Sequence, residues 1–202
     1  MVAEAVTLIE RMSGREPLQT LRPTDVWDPE LDRRIAALPD ESPSGSAGRD
    51  VWAILLKAGL HLWNNSLDKS HRLAQTVENE TGSYWHGIMH RLEGDYGNAK
   101  YWFRRAGVHP IHPELGKRAM EFARSAPKTS RLSVGSWRRL CDEWERQMWN
   151  PYLFVDEVEA VVEGGADADT VTLMERIQRL EIALLIRYTF RQWSGQDVAI
   201  PL

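Results

Sequence analysis

The chain has 202 residues, 43% of them hydrophobic and 27% charged, which is ordinary for a soluble globular protein with a real core. A net charge of −4 and a pI near 5.9 argue against non-specific nucleic-acid binding, which draws on a basic surface. The single cysteine, Cys141, excludes an intrachain disulfide and fits a reducing, cytoplasmic setting. No basic leader precedes an apolar core at the N-terminus, and no run of about 18 apolar residues exists, so neither a signal peptide nor a membrane span is expected.

Residues 1–48 read as an N-terminal arm, partly irregular. Ala3 to Met12 has the spacing of a short helix, and Pro17, Pro23 and Pro29 break up the chain beyond it. Asp28-Pro29 is a helix start, with proline at the first helical position, leading into Glu30 to Leu38. The stretch PDESPSGSAG, residues 39–48, has linker composition. Residues 49–202 then read as a single helical domain, with two hairpins over 49–112 and packing helices over 113–202.

The first hairpin begins with a helix from Arg49 or Asp50 to Trp63, apolar on most sides and therefore central. Asn64-Asn65 is a turn, and Ser66 can cap a helix reaching about Val77. In the second hairpin Thr81-Gly82-Ser83 can start a helix. Tyr84, Trp85, Ile88, Met89 and Leu92 form its apolar face, and His86, His90 and Glu93 fall opposite. Gly94-Asp95 turns the chain. The next helix has Ala99, Tyr101, Trp102, Phe103 and Ala106 on its apolar side and Lys100, Arg104 and Arg105 on its polar side, before Gly107 and Pro110 stop it. The hairpins align at an offset of 29 residues, which matches His61 with His90, Trp63 with Leu92, Leu67 with Tyr96, Ser70 with Ala99 and Ala74 with Phe103. Hairpins that repeat are stacking units, because one alone cannot bury its apolar face.

Pro113 to Arg124 reads as a helix ended by Ala126-Pro127-Lys128. Another should start at Ser133 or Ser136 and pass through Leu140, Cys141 and Met148. Asn150-Pro151 starts the next, stopped by Gly164-Gly165, and Asp169-Thr170 can cap a long last helix to Trp193 and Gly195. No alternating strand pattern stands out, so the expected class is all-α.

The run EGDYGNAKYWFRRAGVHP resembles the turn and second helix of a tetratricopeptide repeat, with Gly87, Ala99, Phe103, Ala106 and Pro110 at its characteristic spacing. The resemblance implies stacked antiparallel hairpins, although His86 and His90 stand where that repeat has large apolar residues. The wording SYWHGIMHR…GDYGNAKYWFRR is also similar to a group of uncharacterised bacterial and fungal helical proteins, a likeness that implies no activity.

All six histidines lie between His61 and His112. His86 and His90 are four apart and share a helix face with Glu93 one turn on, so both rings can reach one zinc or iron ion. His61, His109 and His112 with Glu114 would complete such a site. No HExxH is present, and histidines wedged between helices give a simpler account. Nucleophile elbows, Walker loops and GxGxxG are absent from the sequence. The leading expectation is therefore a non-catalytic binding or scaffold module, its groove lined by Tyr84, His86, His90, Glu93, Lys100 and Arg104, for a peptide or small ligand. The competing expectation is a metal-dependent enzyme using His61, His86, His90 and His109, and a third role is a homodimer interface built from the many aromatics.

Overall fold

A computed structural model describes residues 1–43, 45, 47–125, 140–143, 146 and 148–201. Among them the chain is helical, with no strand. The helices are α1 (Val2–Ser13), α2 (Pro29–Ala36), α3 (Asp50–Trp63), α4 (Leu67–Ala74), α5 (Glu80–Glu93), α6 (Tyr96–Ala106), α7 (His112–Ser125), α8 (Pro151–Gly164) and α9 (Ala168–Ser194). The stop at Ala126-Pro127-Lys128 and most of the helix expected from Ser133 or Ser136 lie outside the described residues; residues 140–143 are also helical, but Met148, expected on that helix, is outside any helix and 53% exposed.

Local chemistry sets most helix ends. The Asp28 side chain accepts from the amides of Glu30 and Leu31, and Asn150 does the same for Tyr152 and Leu153, each with proline in the first turn. Two starts differ from expectation. Asn79, rather than Thr81 to Ser83, caps α5 through Gly82 N–H, and Asp167, rather than Asp169, caps α9 through Thr170 N–H. In both cases a carboxylate or amide oxygen three residues upstream of the helical amide has the better reach.

Helix α3 packs on α4, α4 on α5 and α5 on α6, while α9 lies against α3, α7 and α8. The 27 residues of α9 run about 40 Å at 1.5 Å per residue, long enough to back several shorter helices at once. Tight approach shapes the α3–α5–α9 junction: a Cβ on Gly59 would come within 2.5 Å of the Trp85 ring and 2.8 Å of Ile186. A Cβ on Gly87 would come within 2.8 Å of the Phe103 ring, so the bare backbone of α5 is what lets α6 close on it.

The arm is stitched to the first hairpin at its turn. Arg15 Nη1 donates to Trp63 O at 2.7 Å, and Gln19 Nε2 donates to Leu62 O at 2.8 Å, so two terminal carbonyls of α3 gain partners. Both side chains also donate to Asn65 Oδ1, and Asn65 Nδ2 donates to Asp25 O. Asn64 Nδ2 donates to Asp28 O, and its Oδ1 accepts from Asp28 N–H. Arg15 also stacks over the Trp27 ring at 4.9 Å.

Deep in the core Arg91 pairs with Glu181 at 2.5 Å, both side chains fully buried, and Tyr84 OH donates to the other Glu181 oxygen at 2.9 Å. Arg91 lies over the Phe154 ring at 4.6 Å, so the pair ties α5 to both C-terminal helices.

Candidate functional site

Two cavities flank α4. One, of about 390 Å³, lies between the arm and the hairpin ends and is lined by Thr24, Asp32, Asn65, Ser66, Lys69, Arg72 and Glu93 among others. The second, of about 220 Å³, lies toward α2 and is lined by Ala36, Lys57, His61, Lys69, Arg72 and Leu73. Lys69 and Arg72, one turn apart on α4, border both.

Asp32 organises the wall between them. Its Oδ1 accepts from Ser66 Oγ at 2.5 Å and lies 2.8 Å from His61 Nδ1, and its Oδ2 accepts from Lys69 Nζ at 2.5 Å. Ser66 stands at the N-cap of α4 but makes no capping bond, because its hydroxyl is taken by Asp32. Burial pushes the Asp32 carboxyl up, but Lys69, Ser66 and His61 together outweigh it and hold the pKa below the ordinary value. An ionised carboxylate only accepts, so the proton sits on His61 Nδ1, and Nε2 carries a lone pair. Burial lowers the His61 pKa, against Asp32 and with help from Lys69 and Lys57, so the ring is neutral at neutral pH. Lys57, one turn before His61 on α3, donates to Leu38 O at 2.9 Å and to Asp40 Oδ1 at 2.6 Å. Arg72 makes no ion pair among the described residues.

Of the six residues expected to line one groove, His86, His90 and Glu93 lie side by side, while Tyr84, Lys100 and Arg104 have other surroundings. Tyr84 is buried against Glu181 and serves the core. His86 is 1% exposed and stacks on Trp102, ring centroids 4.1 Å apart. His90 is half-buried, with Nδ1 3.3 Å from Glu93 Oε2. Lys100 pairs with Asp156 of α8 at 2.5 Å, Arg104 is exposed, and Glu93 reaches the edge of the larger cavity. Tyr101, expected on the apolar side of α6, is 44% exposed, and Arg105 Nη1 donates to its hydroxyl at 3.4 Å.

The four histidines expected to share a metal ion also separate. His61 is held by Asp32, and His109 Nε2 lies 3.1 Å from Thr81 Oγ1, in a second group with His112 and Tyr84. His86 and His90 do gather, but with His71 of α4, at centroid distances of 5.1 and 5.6 Å. Among the described residues no group of three or more His, Cys, Asp or Glu side chains is placed to hold a metal ion. Burial, reinforced by His71 and His90, lowers the His86 pKa to about 4, and burial also brings His109, beside His112, and His112 itself to about 4.

No family model, curated protein or solved structure matches the chain.

The residues that sequence alone does not single out as a site are Asp32, Ser66, Lys69 and Arg72. The spacing of Lys69 and Arg72 on one helix face is visible in the sequence, but the partner that makes it a site is Asp32, 37 residues upstream of Lys69 in the arm. Among the described residues no helix is long and apolar enough to cross a membrane.

Proposed function

We propose that the chain is a non-catalytic binding module of stacked, tetratricopeptide-like hairpins, and that its ligand seat is the pair of cavities along α4. The observation that carries this is the shared border of Lys69 and Arg72, with the organised Asp32–His61–Ser66 group between the two hollows. Side chains held by buried hydrogen bonds around a hollow are pre-organised, which lowers the ordering cost of binding. The size of the hollows and their mixed charge favour a small polar molecule over a long peptide. The hairpin stack is supported by the positive-φ turns of Asn65 (63°) and Gly94 (84°), which stand 29 residues apart in the register of the aligned helices.

A metal-dependent enzyme has less support, since His61 is engaged by Asp32 and His109 by Thr81, apart from the group of His86 and His90. A fragment screen followed by backbone amide NMR shifts tests the binding reading. Hits should move the amides of α4 and the Asn64–Ser66 turn; hits that cluster on α6 or α7 and leave α4 still would refute it.

A further inference from the structure

We infer that the cavity on the α2 side of α4 is a seat for hydrogen phosphate, an oxyanion that brings its own hydroxyl proton. This rests on the α4 ligand seat proposed above and names the chemistry it would take. Three cations face this hollow: Lys57 from α3, and Lys69 and Arg72 from α4. The ammonium of Lys69 is shared with Asp32, and that of Lys57 with a carbonyl and with Asp40. Asp40 is 65% exposed, so it can turn to water when an anion takes its place beside Lys57. Arg72 has no carboxylate partner among the described residues, and its planar fork is suited to two oxygens of one tetrahedral anion.

The fourth polar group is His61. Its Nδ1–H is committed to Asp32, so the Nε2 lone pair is the atom His61 has left for a ligand in the hollow it lines. A lone pair there repels a bare oxyanion and accepts a hydrogen bond from one that carries O–H. At neutral pH inorganic phosphate carries a P–OH group and sulfate carries none. Ala36 and Leu73 complete the wall with apolar surface, which sharpens the electrostatic contrast. About 220 Å³ also admits a tetrahedral ion with several waters, each needing about 30 Å³.

Isothermal titration of the full chain with sodium phosphate and with sodium sulfate, at pH 7.5 and matched ionic strength, tests this. Phosphate should bind at least tenfold more tightly than sulfate. Arg72→Gln, at an exposed position and with its fold checked by circular dichroism, should weaken phosphate tenfold or more. His61→Phe, read only if its melting transition remains cooperative, should bring the two anions within about threefold of each other. Should His61→Phe fail to fold, Leu73→Trp fills the same hollow and should abolish phosphate binding. Equal affinity for the two anions in the native chain, no heat with either, or phosphate binding untouched by Arg72→Gln overturns the inference. If phosphate fails while fragments still shift α4 amides, only the anion assignment falls; if fragments also miss α4, the ligand seat falls with it.

Discussion

The two hairpins share a turn geometry and differ in what surrounds it. Asn65 and Gly94 both take positive φ, and Leu67 and Tyr96 both open the second helix, at the same offset. Inward positions agree as well: Leu60 and Met89 are both fully buried, as are Ser70 and Ala99. Glycine is the natural residue for such a turn, and the second hairpin uses it. The first uses asparagine, whose side chain accepts from Arg15 and Gln19 and donates to Asp25 O. The difference teaches that the first hairpin devotes its turn to docking the arm, which creates the cavities, while the second is tied down from inside, by Arg91 on Glu181.

Breaking that inner tie should give the largest effect. Glu181→Ala leaves Arg91 charged and buried without its carboxylate, and should cost about 3–5 kcal/mol in urea unfolding. Asp32→Ala, the nearest counterpart beside the first hairpin, should cost less, because Lys69 can turn to water.

Acid should separate the hairpins next. His86 has a folded pKa of about 4 against 6.5 for the free side chain, so the unfolded chain takes up a proton over a range where the folded one does not. Its contribution is complete above about pH 6.5 and is lost as pH falls toward 4, by up to about 3 kcal/mol. His86→Phe should therefore flatten the fall in stability over this window more than His61→Phe, because Asp32 offsets part of the burial at His61.

Gly87→Ala drives a methyl into the Phe103 ring and should cost about 1–3 kcal/mol by thermal unfolding. Lys100→Ala removes a partly exposed ion pair with Asp156 and should change stability by less than about 1 kcal/mol. An effect at Lys100 as large as that at Gly87 would mean that α8 is held to α6 by charge rather than by packing.

Local features are legible in the sequence, and long-range ones are not. Helix ends at Asp28, Trp63, Gly94, Gly107, Asn150 and Gly195 follow from nearby turn and cap residues, whose chemistry acts within a few positions. The alternation on α5 hides the burial of His86, because the side opposite its apolar face is covered in turn by His71 and Trp102. Helical periodicity reports which residues share a face, and says nothing of how many neighbours the helix has. His71 is missing from the candidate site drawn from sequence, since only tertiary packing brings α4 beside α5. The Asp32 group escapes for the same reason: the short helix that carries Asp32 is legible in the arm, but nothing local in it points to His61, 29 residues away.

The most direct test of the ligand seat along α4 is a crystal structure of the chain grown with the tightest fragment or anion found by titration. The expected result is ligand density within hydrogen-bonding distance of the Arg72 guanidinium, beside Lys69 and the His61 ring. Density instead among His71, His86 and Trp102, with both α4 cavities holding only water, would contradict it.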